Sequence, residues 1–242
     1  FPDGAPIEAL RAWFDALENL ADAPRILICI DEFERLASLF PASGNELLQF
    51  MGLLRATIQH RRRVRLLVAG AAPFDELDAL WNDHFINLRE IRIGYLERAT
   101  AVELLVRPID DFPPETIPRA IAEAAVARSG GQPYLTQLYG SLLVDHLNAA
   151  QRRSATAADL AAVEEELLDQ AGYYFRNVWQ DLPAAAQAIV AAAARADRAR
   201  RDAPAGDAAT RRILRRRQIL GEDGELLVPV FARWIHEQHF TP

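Results

Sequence analysis

The 242-residue sequence contains no lysine, because all 27 of its basic residues are arginines. It has one cysteine, Cys29, so an internal disulfide is excluded and a reducing compartment is favoured. No apolar run reaches the roughly 18 residues that a membrane-spanning helix needs, and the N-terminus lacks the pattern of a signal peptide. These absences predict a cytoplasmic protein that has no membrane contact.

The composition is that of an ordinary globular protein. Half of the residues are hydrophobic, a quarter are charged, and the formal net charge is -7. This acidic balance argues against a chain that coats nucleic acid, although it leaves room for a local basic face. The length allows one large domain or two to three small ones.

The first hundred residues alternate between helical and strand patterns. Apolar residues recur at three- and four-residue spacing over Ile7–Leu20 and Glu46–Arg62, which predicts two amphipathic helices. Continuous apolar runs at Ile26–Ile30 and Val64–Gly70 predict strands buried on both faces of a parallel sheet. The alternating segment Leu88–Leu96 predicts a third strand. This order is that of a doubly wound α/β domain, in which ligands bind beyond the carboxyl ends of the strands.

From residue 98 onward the patterns are almost entirely helical. Four helical segments are predicted, the last of them over 156–182, with Gly130 and Gly131 closing the second and Pro133 opening the third. Beyond residue 170, a helix, an arginine-rich helix, a tight hairpin at Asp223-Gly224 and a last helix follow each other. A helical bundle over 98–170 and a winged helix-turn-helix over 171–242 are therefore predicted, after an α/β part over 1–97.

The motifs in this order resemble those of the AAA-like and STAND-type P-loop ATPases and, more distantly, the origin-recognition and loader ATPases. The resemblance covers nearly the whole chain and rests on "ILICIDE", "LLVAG", "GGQPYLTQL" and "GEDGELLVPVFARWI". It implies a P-loop core without its N-terminal part, a helical lid and a C-terminal winged helix. It also implies ATP and Mg²⁺ as ligands of the intact protein.

Asp31 and Glu32, at the tip of the first predicted strand, resemble the Walker B acids. The resemblance implies that Asp31 binds Mg²⁺ through water and that Glu32, as the catalytic residue, orients and deprotonates the attacking water. The alternative is that both acids cap the following helix, where the helix dipole favours negative charge.

Two further motifs match nucleotide-contacting positions of these ATPases. Gly70, in "GAAP", stands where such enzymes carry the sensor 1 residue, but alanines follow it, and a plain turn is the better interpretation. Gly131 and Pro133, in "SGGQPY", stand where the lid approaches the bound base. An ordinary helix break explains them equally well.

The arginines admit several interpretations. The second helix of the predicted winged helix carries a cluster of positive charge: Arg211, Arg212, Arg215, Arg216 and Arg217. Its spacing suits contacts with DNA phosphates or with a protein partner. The alternative is that these arginines pair with acids of the same chain. An arginine finger or second phosphate sensor could come from Arg61, Arg62, Arg63 or Arg107, although solvated surface is the commoner role.

The phosphate-binding loop GxxxxGK[ST] is missing from the sequence, which also lacks an initiator methionine. We therefore expect a fragment of a switch ATPase that is itself inactive, with the loop encoded upstream of Phe1. Its expected partners are ATP, further copies of itself or a signalling protein. The alternatives are a DNA-binding loader or regulator that acts through the winged helix, and a catalytically inert protein-interaction scaffold.

Overall fold

The computed structural model divides the chain into two compact units, a first unit of residues 1–91 and a second unit of residues 92–242. The residues whose structure is described are 6–20, 24–40, 45–70, 79–85, 88–199 and 207–239. No helix among them is both long and apolar enough to cross a membrane.

The first unit is built around two parallel strands. β1 (Ile26–Ile30) pairs with β2 (Val64–Val68) in a register that places Ile26 opposite Val64 and Ile30 opposite Val68. Both strands, and their parallel pairing, follow the prediction from the two apolar runs. Parallel strands end at the same edge, so the residues after Ile30 and after Val68 are neighbours.

Helices connect and cover these strands. α1 (Pro6–Asn19) precedes β1, and α2 (Glu46–His60) makes the crossover between β1 and β2. A 3-10 helix (Phe33–Leu39) follows β1, and α3 (Ala79–Phe85) follows β2. Two apolar clusters join helices to strands; one contains Ile7, Phe14, Leu53 and Val64, and the other contains Phe33, Met51, Leu54, Trp81 and Phe85.

Burial of the strands on both faces, as predicted, is not found. The β1 residues Ile28 and Ile30 pack against the helical clusters, whereas Leu27 and Leu67 on the opposite face are 59% and 48% exposed. Cys29 lies on that exposed face, although the prediction for Ile26–Ile30 places it inside a buried strand. The reason is that the helices of the described part of this unit pack on one face only, so alternate residues of each strand stay in solvent.

The prediction of a third strand over Leu88–Leu96 is also wrong. Residues 88–96 form no strand among the described residues, and Ile91 and Ile93 are 73% and 94% exposed. The backbone of the segment is bound elsewhere: the Tyr95 amide donates to the Gln218 side chain, and the Leu96 amide donates to the carbonyl of Gly131. Alternating hydrophobicity makes a strand only where a neighbouring strand accepts its hydrogen bonds.

The second unit is helical. It contains α4 (Arg98–Val106), α5 (Arg119–Ser129), α6 (Pro133–Ala149), α7 (Ala157–Gln170), α8 (Gly172–Gln180), α9 (Ala184–Ala199), α10 (Ala208–Arg216) and α11 (Pro229–His239). Between α10 and α11 the chain makes a tight turn closed by an antiparallel bridge between Leu220 and Leu226. The fourth predicted helix is interrupted at Ala171 and gives α7 and α8.

One continuous apolar core runs through the second unit from Ala101 to Ile235. Near its centre the Phe175 ring stacks on Phe231 with centroids 5.3 Å apart, and Phe231 stacks on Trp234 at 5.8 Å. The predicted division of the chain at residues 97 and 170, and the assignment of a lid and a winged helix, stay predictions.

The start of α7 carries a capping box centred on Asp159. Its carboxylate accepts hydrogen bonds from the amide and hydroxyl of Thr156, at 2.8 and 2.7 Å, and contacts His146 Nε2 at 3.0 Å and the Arg152 guanidinium. Arg152 and then Thr156 hold the pKa of Asp159 well below its usual range, although burial opposes them. Asp159 is therefore an ionised group that holds α6 and α7 together.

Asp159 is expected to make stability depend on pH in the acid range. Because its folded-state pKa lies below the unfolded value of 3.8, its stabilisation is complete above that pH and is lost as the pH falls through the folded-state pKa. Asp159→Asn should cost about 1 kcal/mol or more at pH 7, and the difference from wild type should shrink in acid. Urea unfolding between pH 2 and pH 7 measures this, with the exposed Asp145→Asn in α6 as control. A pH-independent difference would contradict the assignment.

Candidate functional site

Asp31 and Glu32 lie at the carboxyl edge of the two-stranded sheet. They follow Ile30 directly, and the chain then turns across the end of β2, because the Ala69 amide donates to the carbonyl of Ile30 at 2.8 Å and the Phe33 amide donates to the carbonyl of Ala69 at 3.1 Å. Both acids are exposed. The ends of both strands and the two carboxylates are therefore brought together at one edge.

The turn at these acids is tight. Glu32 has a φ of 49°, a left-handed conformation that is uncommon for a residue other than glycine, and its amide donates to Asp31 Oδ1 at 2.9 Å. Asp31 thus stabilises the turn itself, and the interpretation in which both acids cap the following helix stays a prediction. A left-handed residue costs roughly 1–2 kcal/mol, and such positions cluster at functional sites.

The Glu32 carboxylate pairs with Arg35 in an exposed ion pair that is easily displaced. Its Oε2 atom accepts from Arg35 Nη1 at 2.7 Å, but the two side chains are 62% and 74% exposed. An exposed ion pair of this kind contributes about 0–1 kcal/mol, so a ligand or metal ion can compete for the carboxylate.

Gly70 lies against the same turn at the end of β2. A Cβ atom at this position would lie 2.1 Å from Glu34 Oε2 and 2.8 Å from the Phe33 ring. The absence of a side chain therefore allows the 3-10 helix to pack against β2, which accounts for glycine at this position. The role of Gly70 beside a phosphate stays a prediction, and the three residues after it, 71–73, lie outside the described residues.

A magnesium ion would fit this edge only with ligands from elsewhere. Among the described residues no group of three or more metal-ligating side chains is present, so Asp31 and Glu32 form a pair. Protein-bound Mg²⁺ commonly takes one or two carboxylates and completes its octahedron with water and nucleotide phosphate oxygens. The acid pair fits that mode and does not fit a metal site made by protein alone.

Gly131 lies in the turn between α5 and α6 of the second unit, and Pro133 begins α6 directly after this turn. Gly130 and Gly131 have φ values of 62° and 74°, and Cβ atoms there would lie 1.8 Å from the carbonyl oxygen of Leu227 and 2.4 Å from that of Leu96. Gln132 caps α6 by accepting from the Leu135 amide at 2.7 Å, and Pro133 is the first residue of that helix. Packing and capping thus account for these residue types, and the predicted nucleotide contact at Gly131 and Pro133 stays a prediction.

Some of the arginines of α10 form an exposed basic surface. Arg212, Arg215 and Arg216 are exposed, whereas Arg211 is half-buried. Arg215 donates to the carbonyl of Glu222 at 2.6 Å, so it also holds the following turn.

At the start of α10, Asp207 accepts from the amides of Ala209 and Thr210, and hydrogen bonds from Thr210 and Ala209 lower its pKa.

The other candidate arginines have local partners. Arg61 is 11% exposed, pairs with Asp15 at 2.7 Å and lies over the Phe14 ring at 5.5 Å, so it joins α1 to α2. Glu18 accepts hydrogen bonds from the backbone amides of Arg62 and Arg63, and these bonds lower its pKa. In α4 and the residue after it, Glu103 pairs with Arg107 at 3.3 Å.

Sequence reasoning missed Tyr95, Tyr174 and Gln218. Burial raises the pKa of both tyrosines, and their side chains line the same recess as Gln218. Gln218 has a φ of 55°, and its Oε1 atom accepts from the Tyr95 amide at 3.0 Å. No local sequence pattern predicts the contact between Tyr95 and Gln218, because the two residues are 123 positions apart.

A scan against protein-family models gives no match, and a search of curated proteins gives none either. Among solved structures, the chain is similar to a single-substitution variant of RuvB from Thermotoga maritima, with a TM-score of 0.48 and 15% sequence identity over 96% of this chain and 76% of that one. A similarity of this level identifies no family, site or activity.

Proposed function

We propose that this chain is part of an ATP-dependent switch protein of the AAA-like or STAND type, and that Asp31 and Glu32 form one wall of its nucleotide site. The observation that supports this most is the position of the two acids. They are exposed at the carboxyl end of β1, beside the end of a parallel strand, in a turn held in a left-handed conformation.

Each acid has a distinct role in this proposal. Asp31 would hold a magnesium ion through its water shell, and the ion would supply positive charge to the transferred phosphoryl group. Glu32 accepts a hydrogen bond from the attacking water and takes its proton. Arg35, which is 2.7 Å from Glu32, keeps that carboxylate at the edge of the sheet until the water and nucleotide arrive.

The phosphates must be bound by residues other than Asp31, Glu32 and Arg35. Most phosphate affinity in P-loop proteins comes from the backbone amides of a glycine-rich loop and from its lysine. The 242 residues contain no lysine and no GxxxxGK[ST]. In the proposed site, the two acids therefore bind metal and water, while a loop outside this sequence binds the phosphates.

Isothermal titration calorimetry of the 242-residue chain with ATP and Mg²⁺ should detect no micromolar binding. Exposed carboxylates alone repel the triphosphate, and metal bridging compensates only in part. A heat signal that fits a micromolar dissociation constant would contradict the proposal that the phosphates are bound by a loop outside this sequence. ADP without Mg²⁺ is the control titration, since it removes the metal bridge.

Nucleotide binding would act as a switch through the second unit. In the proposed cycle, ATP favours one arrangement of the two units, and hydrolysis or exchange releases it to a protein partner or a further copy of the chain. The test of the proposal is Glu32→Gln in a protein that carries this chain together with a phosphate-binding loop. ATP binding should be kept and turnover lost.

A second candidate function, a DNA-binding loader or regulator, is favoured by the exposed arginines of α10. Arg212, Arg215 and Arg216 lie on one helix of nine residues, and phosphate contacts by such side chains weaken steeply with salt. If α10 binds DNA, a gel shift on duplex DNA should be lost between about 50 and 200 mM salt. Arg212→Ala with Arg216→Ala should reduce the salt dependence by about two phosphate contacts. Equal binding by this double variant would contradict the candidate.

A further inference from the structure

Gly94–Leu96, near the start of the second unit, form what we call the anchor segment. Three different parts of the unit bind it. The Tyr95 amide donates to Gln218 Oε1 at 3.0 Å, and the Leu96 amide donates to the carbonyl of Gly131 at 2.9 Å. The Tyr95 side chain lines the same recess of the unit as Tyr174 of α8 and Gln218.

Gln218 is the most constrained of these partners. It follows α10 with a φ of 55°, and its Nε2 atom lies so close to the anchor segment that a Cβ atom on Gly94 would be 2.6 Å away. A left-handed glutamine is unfavourable without compensation. Here the conformation directs the side chain across the fold to a backbone amide 123 positions earlier in the chain.

The α5–α6 turn joins the anchor segment to the C-terminal helices. Gly131 binds Leu96, and its neighbour Gly130 packs against the backbone at Leu227, just before α11. The Tyr174 ring also lies against the ring of Tyr134 in the first turn of α6, with centroids 5.5 Å apart. The anchor segment, this turn and the chain around α10 and α11 are thus in mutual contact.

An ionic cluster links the same helices on another side. The Glu164 carboxylate of α7 is 2.9 Å from Arg128 of α5 and 2.8 Å from Arg233 of α11, and it accepts from the Tyr139 hydroxyl of α6 at 3.1 Å. Glu164 is 14% exposed, so these bonds are less screened than surface pairs.

We propose that the anchor segment is a clamp that locks α4–α7 and α8–α11 into one body, with Gln218 as the residue that closes it. Although the sequence suggests a lid and a separate winged helix, these helices would then move and open together. The basic surface of α10 would follow any displacement of α4–α7. This inference does not depend on nucleotide binding.

The clamp is tested by native-state hydrogen exchange on the whole chain with Gln218→Asn. Asparagine tolerates a left-handed φ, but its side chain is one methylene shorter and does not reach the Tyr95 amide. The matched control is Gln151→Asn, the same change at an exposed residue with a φ of 52°. For Gln151, no side-chain hydrogen bond to another element occurs within the described ranges.

In the Gln218→Asn variant, the Tyr95 amide and the slowest amides of α5, α6, α10 and α11 should exchange faster by a common factor of roughly three- to tenfold. Gln151→Asn should leave all of them unchanged. Faster exchange confined to Tyr95, or to α10 and α11 with α5 and α6 unchanged, would overturn the clamp.

A measurement on the wild-type chain tests the proposal without any substitution. Under increasing guanidinium chloride, the slowest amides of α5–α6 and of α10–α11 should converge on one opening reaction with a common denaturant slope. Two separate slopes would show two independent bodies and would overturn the proposal, even if Gln218→Asn fails to fold. Because no nucleotide is involved, this outcome is independent of any ATPase result.

Discussion

Replacing Gly130 with alanine is expected to destabilise the second unit by about 3 kcal/mol. Alanine in the left-handed conformation at φ 62° costs about 1–2 kcal/mol, and its Cβ atom would lie 1.8 Å from the carbonyl oxygen of Leu227. That neighbour is backbone, so the turn before α11 must move to make room. The movement separates α5 from the segment that leads into α11.

The matched control for this prediction is Gly172→Ala, a substitution of the same kind in the same unit. Apart from its chain neighbours and the backbone of α8, no atom of the described residues lies within 4 Å of a Cβ built there. Gly172 is also the first residue of α8, so the change should be neutral or slightly stabilising. Urea unfolding followed by circular dichroism at 222 nm compares the two variants. Equal stability of Gly130→Ala and wild type would mean that the turn does not pack as described.

The parts of the fold that depend on local pattern could be predicted from the sequence. β1 begins and ends where its apolar run does, and α6 begins at Pro133 after two glycines. These features depend on backbone preferences and short-range burial, which a few neighbouring residues determine. The position of Asp31 and Glu32 at a strand tip follows from the same information.

The parts that depend on distant partners could not be predicted. Residues 88–96 have the alternating hydrophobicity of a strand but form none. The amides of Tyr95 and Leu96 instead donate to Gln218 and Gly131, which are distant in the sequence. Arg61 belongs to a run of three arginines that suggests a charged surface. The structure buries it against Asp15 and Phe14, because α1 happens to lie over that turn.

Replacing Glu32 with glutamine should abolish ATP turnover in a protein that carries this chain with a phosphate-binding loop. Glutamine keeps the size of the side chain and a hydrogen-bond acceptor, but it does not take a proton from water. Loss of a general base typically lowers the rate about 10²–10⁴-fold. Nucleotide affinity should stay within a few-fold of wild type, because Asp31 and the phosphate-binding loop are unchanged.

Glu46→Gln is the matched control for Glu32→Gln. Glu46 is an exposed glutamate of the same unit in the first turn of α2, so it tests whether the loss of one negative charge alone affects turnover. Its turnover should equal that of wild type. An equal loss in both variants would point to charge or folding and would contradict a specific role for Glu32.

Single-turnover hydrolysis of ATP, measured together with ATP affinity in the wild-type, Glu32→Gln and Glu46→Gln proteins, tests the role of the acid pair most directly. We predict that only Glu32→Gln stops hydrolysis while ATP remains bound. Undiminished hydrolysis by Glu32→Gln, or no hydrolysis by the wild-type protein, would contradict the catalytic role of the strand-end acids and favour an inert scaffold.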